Sequence, residues 1–125
     1  MIPNSCLFPD VGKPFANSIC VILAIIRMKV LAEKRKELSQ TIASLIGSLR
    51  TEKGCLRCDF CQSLENENEL CILEEWDSRK NLNSQMKSER FKVFRGAMSL
   101  LQEPYEMIVH TVAAGKERLE ARSHP

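Results

Sequence analysis

The longest uninterrupted apolar run in the chain is Ile19–Ile26, and it continues through Arg27 and Met28 to Lys29 and Val30. Its richness in Ile and Val predicts a strand over Ile19–Val30. A strand with one wet face alternates apolar and polar residues. This one does not, so the pattern predicts cover on both faces. From Glu33 to Glu52 the period changes to that of a helix. Leu38, Ile42, Leu45 and Leu49 form one stripe, and Ile46 widens it. Glu33 falls in the first turn, where the helix dipole favours an acid, and Gly54 falls where a glycine stops a helix. Two shorter runs, Cys55–Gln62 and Leu70–Trp76, flank the polar segment Leu64–Glu69 and read as a β-hairpin.

After the hairpin, Asp77 or Ser78 is placed to cap a short helix carrying Leu82 and Met86. Ser88 is placed to cap a second segment, Glu89–Leu101, with Phe91, Phe94, Met98 and Leu101 on one stripe, and Pro104 enforces a stop. Tyr105–Val112 reads as a last strand. The order is β-α-β-β-α-β. With right-handed crossovers this is an α+β, ferredoxin-like arrangement, a four-stranded antiparallel sheet with two helices on one face. The strands look covered on both sides, so the pattern predicts a homodimer formed through the sheet faces. Residues 1–18, with three prolines and no periodicity, read as a flexible leader; 19–113 as the domain; 114–125 as a polar tail.

Composition changes little in this picture. The chain has 125 residues with 44% hydrophobic and 27% charged residues and a net charge of +2. One domain with a sizeable core is expected. The small net charge and the absence of basic-aromatic interleaving argue against a nucleic-acid partner. The apolar run at Ile19–Ile26 is too short to span a bilayer and lacks the pattern of a signal peptide, so no membrane partner is expected. A cytoplasmic, reduced protein follows, with most of the six cysteines (Cys6, Cys20, Cys55, Cys58, Cys61 and Cys71) acting as small hydrophobes.

The spacing Cys55-x-x-Cys58-x-x-Cys61 invites a metal reading, but regular alternation in a strand points Cys58 away from the other two. Packing is the preferred reading, and no metal is expected. Of Glu74 and Glu75, strand neighbours, one should point inward. It acts either as a base with a raised pKa or, the preferred reading, as the partner of Arg27, Arg57 or Arg79. His110 reads as structural and His124 as incidental. No phosphate loop, catalytic serine order or zinc spacing is present.

The stretches GCLRCDFCQS and LEEWDSRKNLNSQMKSERFKVF resemble the antibiotic biosynthesis monooxygenase domain over Val21 to Val112. The resemblance rests on the Gly-Cys-Leu strand start, the Glu-Glu-Trp strand end and the helix start at Phe91. It implies a dimeric α+β barrel with a small apolar pocket between sheet and helices. It also implies oxidation of quinols or related phenols by molecular oxygen without metal or flavin. A haem-degrading branch uses an Asn, the strand-end Trp and a His. Here the corresponding positions hold Ile26, Trp76 and Gln85, and the histidine before Phe91 is replaced by Arg90. Haem is therefore not expected as a cofactor, and none is expected at all.

The function implied is a cofactor-independent monooxygenase acting on a small aromatic, quinol-like substrate. Its alternatives are a ligand-binding or stress-related dimer without catalysis, and a haem-degrading enzyme. Trp76, Gln85 and Arg90 are the candidate catalytic residues. Ile26, Arg27, Trp76, Gln85, Phe91 and Phe94 are the candidate substrate contacts. Gln85 cannot act as a base near neutral pH, so the substrate must ionise readily, with Arg27 or Arg90 holding its anion.

Overall fold

Strand β1 (Val21–Lys29) buries every second residue. Ile22, Ala24, Ile26 and Met28 face the core, while Leu23 and Ile25 are half-buried on the other side, where Arg27 and Lys29 are exposed. The computed structural model describes residues 20–113. The expected leader and tail, and the start of the first strand at Ile19, lie outside the described residues. A single 3-10 turn over Ala32–Lys34, which contains Glu33, leads into helix α1 (Arg35–Leu49). Leu38, Ile42 and Leu49 of the stripe and the flanking Ile46 are buried, each contributing roughly 1.5–3 kcal/mol against exposure, while Leu45 is half-buried.

Gly54 does not stop α1. The helix ends at Leu49 and the chain turns through Thr51–Lys53, with the Cys55 amide bonded to the Glu52 carbonyl. Gly54 adopts φ 88° at the end of that turn, and a Cβ there would lie 2.6 Å from the Asn81 Cβ. It is thus needed both for its left-handed backbone and for the close approach of Asn81.

The hairpin strands are β2 (Cys55–Gln62) and β3 (Glu69–Trp76). Helices α2 (Arg79–Met86) and α3 (Glu89–Ala97) follow, then a 3-10 turn over Met98–Leu100 and strand β4 (Glu106–Val112). Helix α3 is shorter than the expected Glu89–Leu101, because Leu101 leaves the helix to bridge Val30. The sheet order is β2-β3-β1-β4, all antiparallel, which is the ferredoxin-like α+β arrangement. The helices cover one face, where the core lies. The other face is uncovered in a single chain, and Leu23, Ile25, Leu73 and Ile108 are half-buried at its centre.

One register feature overturns the strict alternation expected of β2. Cys55 opposes Trp76 and Arg57 opposes Glu75, so Leu56 is an extra residue in a bulge. Leu56 is thrown out to 55% exposure. Cys55 and Cys58 therefore share the inward face rather than facing opposite ways. No cluster of three or more His, Cys, Asp or Glu able to hold a metal exists among the described residues. Cys20 is disulfide-bonded, so the expectation of a reduced chain does not hold there; cysteine pairing is not legible from spacing alone. No helix among the described residues is long and apolar enough to cross a membrane.

Candidate functional site

The break between α2 and α3 positions the site. Ser78 caps α2, its Oγ accepting from the Asn81 amide at 3.1 Å. That start sets the helix phase so that Leu82 and Gln85, three residues apart, are both buried. Ser88 caps α3 in the same way, accepting from the Phe91 amide at 3.1 Å, and donates its hydroxyl to the Gln85 carbonyl at 2.6 Å. The tight reversal brings Gln85 and Arg90 together. Arg90 Nη1 donates to Gln85 Oε1 at 2.8 Å, Nη2 to Glu52 Oε1 at 2.9 Å and Nε to Ser48 Oγ at 3.2 Å. One guanidinium thus ties α1, the turn after it, α2 and α3 together.

Beneath this clasp is a cavity of about 20 Å³ between sheet and helices, room for about one water. Ile26 of β1 and Ile72 of β3 form its floor, and Phe91 and Phe94 of α3 line it, with ring centroids 5.5 Å apart. Its polar lining comes from Glu74, Gln85 and Arg90. Gln85 spends its Oε1 on Arg90, which leaves the amide N–H₂ as its free donor end.

Glu74 is the inward member of its pair and only 4% exposed. Its Oε1 accepts from the Trp76 indole N–H at 2.8 Å. Burial raises its pKa above the ordinary carboxylate range, and the bond from Trp76 opposes that rise. The expected arginine pairing is not found. Arg27 lies on the opposite sheet face, Arg57 pairs with Asp59 at 2.8 Å, and Arg79 bonds Asn83 at 3.1 Å. Arg57 and Arg79 have nearer, better-solvated partners, and the sheet separates Arg27 from the buried acid. Across the hairpin, burial and then the Glu74 charge push the Cys58 thiol up to about 12.

Ile26, Gln85, Arg90, Phe91 and Phe94 are therefore brought together, and Arg27 is not among them. Strand neighbours face opposite ways, so Ile26 and Arg27 could not both line one cavity. Trp76 is completely buried and does not line the cavity; it reaches the site only through Glu74. His110 is exposed on the uncovered face, opposite Leu23. Glu74 is the inward acid expected of the pair, with a raised pKa in place of the preferred arginine partner. Glu74 and Trp76 are two apart in a strand, so a buried Trp carries that Glu to the same side. The residues do not fit haem: the position that would offer an imidazole is Gln85, whose oxygen is held by a guanidinium.

Fold and site define a ferredoxin-like α+β domain that encloses one buried carboxyl in a small apolar cavity. The chain belongs to the antibiotic biosynthesis monooxygenase family, whose sequence profile matches residues 21–97. Among solved structures, a conserved protein from Methanosarcina mazei Go1 is 29% identical with a TM-score of 0.70, covering 74% of this chain and 92% of its own. A protein from Mycobacterium tuberculosis is 24% identical with a TM-score of 0.67, covering 82% and 99%. A candidate antibiotic biosynthesis monooxygenase from Nitrosomonas europaea is 17% identical with a TM-score of 0.68, covering 71% and 95%. The last two support the fold alone. No curated protein matches the chain.

Proposed function

We propose that the chain is a monooxygenase that oxidises a small quinol-like ring with molecular oxygen in the cavity between sheet and helices. The observation that carries this reading is the buried Glu74 carboxyl, held by Trp76 and facing a cavity whose other polar groups are Gln85 and Arg90. A base with a raised pKa is suited to take a proton from a ring hydroxyl. The ring anion then passes one electron to oxygen, and the radical pair closes a C–O bond to give a ring peroxide anion. The ring C–H proton moves to the peroxide as its O–O bond breaks, leaving the carbonyl and a hydroxide, which takes back the quinol proton from Glu74 and departs as water. Quinol and oxygen become hydroxyquinone and water, with no external reductant. Arg90, its charge fixed at the cavity by Glu52, and the Gln85 amide favour the anion. The cavity as it stands holds about one water, so binding a ring moves Phe91 and Phe94 outward.

Oxygen uptake by the pure protein with a panel of quinols and anthrones tests this. Turnover should fall at least about 100-fold in Glu74→Gln, and its acid limb should lie above the ordinary carboxylate range. Ring binding without oxygen uptake would instead mark a non-catalytic binding protein.

We also propose that two copies pack through the uncovered sheet faces, centred on Leu23, Ile25, Leu73 and Ile108. These side chains are only half-buried in a single chain, and a partner sheet would remove them from water. Sedimentation equilibrium should report a dimer that Leu73→Glu dissociates; a monomeric native chain would refute the contact.

A further inference from the structure

On the uncovered face, sheet pairing lines up one transverse row: Cys61 opposes Cys71, Cys71 opposes Arg27, and Arg27 opposes Glu106. Both thiols are free, with Cys61 exposed and Cys71 half-buried. They line a cleft of about 330 Å³ whose rim carries Lys29, Glu69 and Glu103. This row stands at the hairpin end of the face, outside the apolar centre assigned to the dimer contact. We propose that Cys61 and Cys71 are a peroxide-reactive dithiol that closes to a reversible cross-strand disulfide.

The geometry supports this. The Ser63 amide donates to the Glu69 carbonyl at 3.0 Å. Two residues inward, Cys61 and Cys71 thus occupy the next hydrogen-bonded pair of the ladder, where Cα atoms are about 5.5 Å apart. That separation lies inside the range of disulfides, while the side chains of such pairs diverge more than a relaxed disulfide wants. The bond can form, but under strain, which makes it readily reduced. The two thiols also differ in role. Burial, with Cys61 beside it, pushes Cys71 up, against the pull of the Arg27 charge and its hydrogen bond. The exposed Cys61 is the attacking group and Cys71 the resolving one.

The Cys61 thiolate attacks hydrogen peroxide, breaking the O–O bond. The sulfur becomes a sulfenic acid, and the released hydroxide takes up a proton to leave as water. The Cys71 sulfur then displaces the sulfenic hydroxyl, which departs as a second water. Two thiols and one peroxide become one disulfide and two waters. No part of this depends on the proposed oxygenation.

Native full-length protein should be treated with a few equivalents of hydrogen peroxide, alkylated and digested without reduction. Mass spectrometry should find a peptide joining Cys61 to Cys71, lighter by two hydrogens and restored by dithiothreitol. In Cys71→Ser, the Cys61 sulfenic acid should persist and be captured by a 1,3-dione. In Cys61→Ser, a change at an exposed position, the cross-link should be lost while the thermal melt is kept. Inert Cys61 in the native protein, a link from Cys61 to Cys55 or to another chain, or no capturable sulfenic acid in Cys71→Ser would each overturn the proposal.

Discussion

Replacing Trp76 by Phe isolates the contact on which the site depends. The change removes the indole N–H that donates to Glu74 at 2.8 Å and leaves a carboxyl that is 4% exposed without that donor. A hydrogen bond to a charged group is worth about 1.5–3 kcal/mol. The smaller ring also leaves a void in the core, costing roughly 1–2 kcal/mol by analogy with deletion of one or two methylenes. The expected loss at neutral pH is therefore about 3–5 kcal/mol. In a Glu74→Gln background the same bond is neutral and weaker, about 0.5–1.5 kcal/mol, so a double-mutant cycle should show coupling on the order of 1 kcal/mol. The pH dependence has a definite sign. The folded pKa of Glu74 is raised, so its contribution to stability is complete below the ordinary carboxylate value and is lost as pH rises through the folded value. Glu74→Gln escapes that loss, and its stability relative to wild type should improve across the same window. Trp76→Phe removes the interaction that opposes the rise, so the window should extend to higher pH. Urea unfolding followed by far-ultraviolet circular dichroism, run at several pH values on the four proteins of the cycle, measures all of this. Coupling within about 0.3 kcal/mol of zero, or wild type gaining on Glu74→Gln as pH rises, would refute the reasoning.

Gly54→Ala should cost about 2–3 kcal/mol, from a left-handed backbone and from displacing Asn81, which bonds Asp77 at 2.7 Å. A denaturation midpoint unchanged from wild type would mean that the turn rearranges freely. Ser88→Ala should cost about 1 kcal/mol through loss of the α3 cap, and a urea titration reads it; Ser88→Asp, which keeps an acceptor, should recover most of it. Cys58, with its thiol pushed up to about 12 and 2% exposed, should resist iodoacetamide at pH 8 until the chain unfolds. Labelling of Cys58 at the rate of Cys61 in the native state would contradict its burial.

The elements were legible where one period ran without interruption. The stripe Leu38, Ile42, Leu45 and Leu49, widened by Ile46, has the period of a helix with one buried face, and Ser88 is legible as a cap, whereas Asp77 and Ser78 compete for the α2 cap that Ser78 takes. What failed to show was any departure from the regular period. Nothing in the sequence marks Leu56 as a bulge residue, yet that one extra residue brings Cys55 to the inward face beside Cys58. The site was legible by neighbourhood but not by contact. Gln85, Arg90, Phe91 and Phe94 lie close in sequence around a helix break, so local rules gather them. The bonds from Arg90 to Ser48 and Glu52 span 42 and 38 residues and depend on how α1 packs. One inward acid of the Glu74–Glu75 pair was legible from the period of the strand; its role was misjudged by weighing ion pairing above a buried acid with a raised pKa.

The same contacts determine where a ligand would reach the cavity. Its floor is made by the central strands β1 and β3, whose ladder cannot part without unfolding the sheet. Ile42 and Ile46 of α1 stand against those strands and are almost fully buried, so moving them exposes core. The remaining boundary is Arg90 and Gln85 with the rings behind them, flanked by Leu45 and Leu49 of α1. The Arg90–Glu52 pair is 2.9 Å long, with side-chain exposures of 20% and 38%. A pair so open to water is worth only about 0–1 kcal/mol. Breaking it, together with the Arg90 bonds to Ser48 and Gln85, would free α3 to shift while Ser88 keeps the helix capped. The weakest boundary thus coincides with the cavity's polar end, and a ring entering there would meet the Arg90 charge and the Gln85 amide before it reaches Glu74.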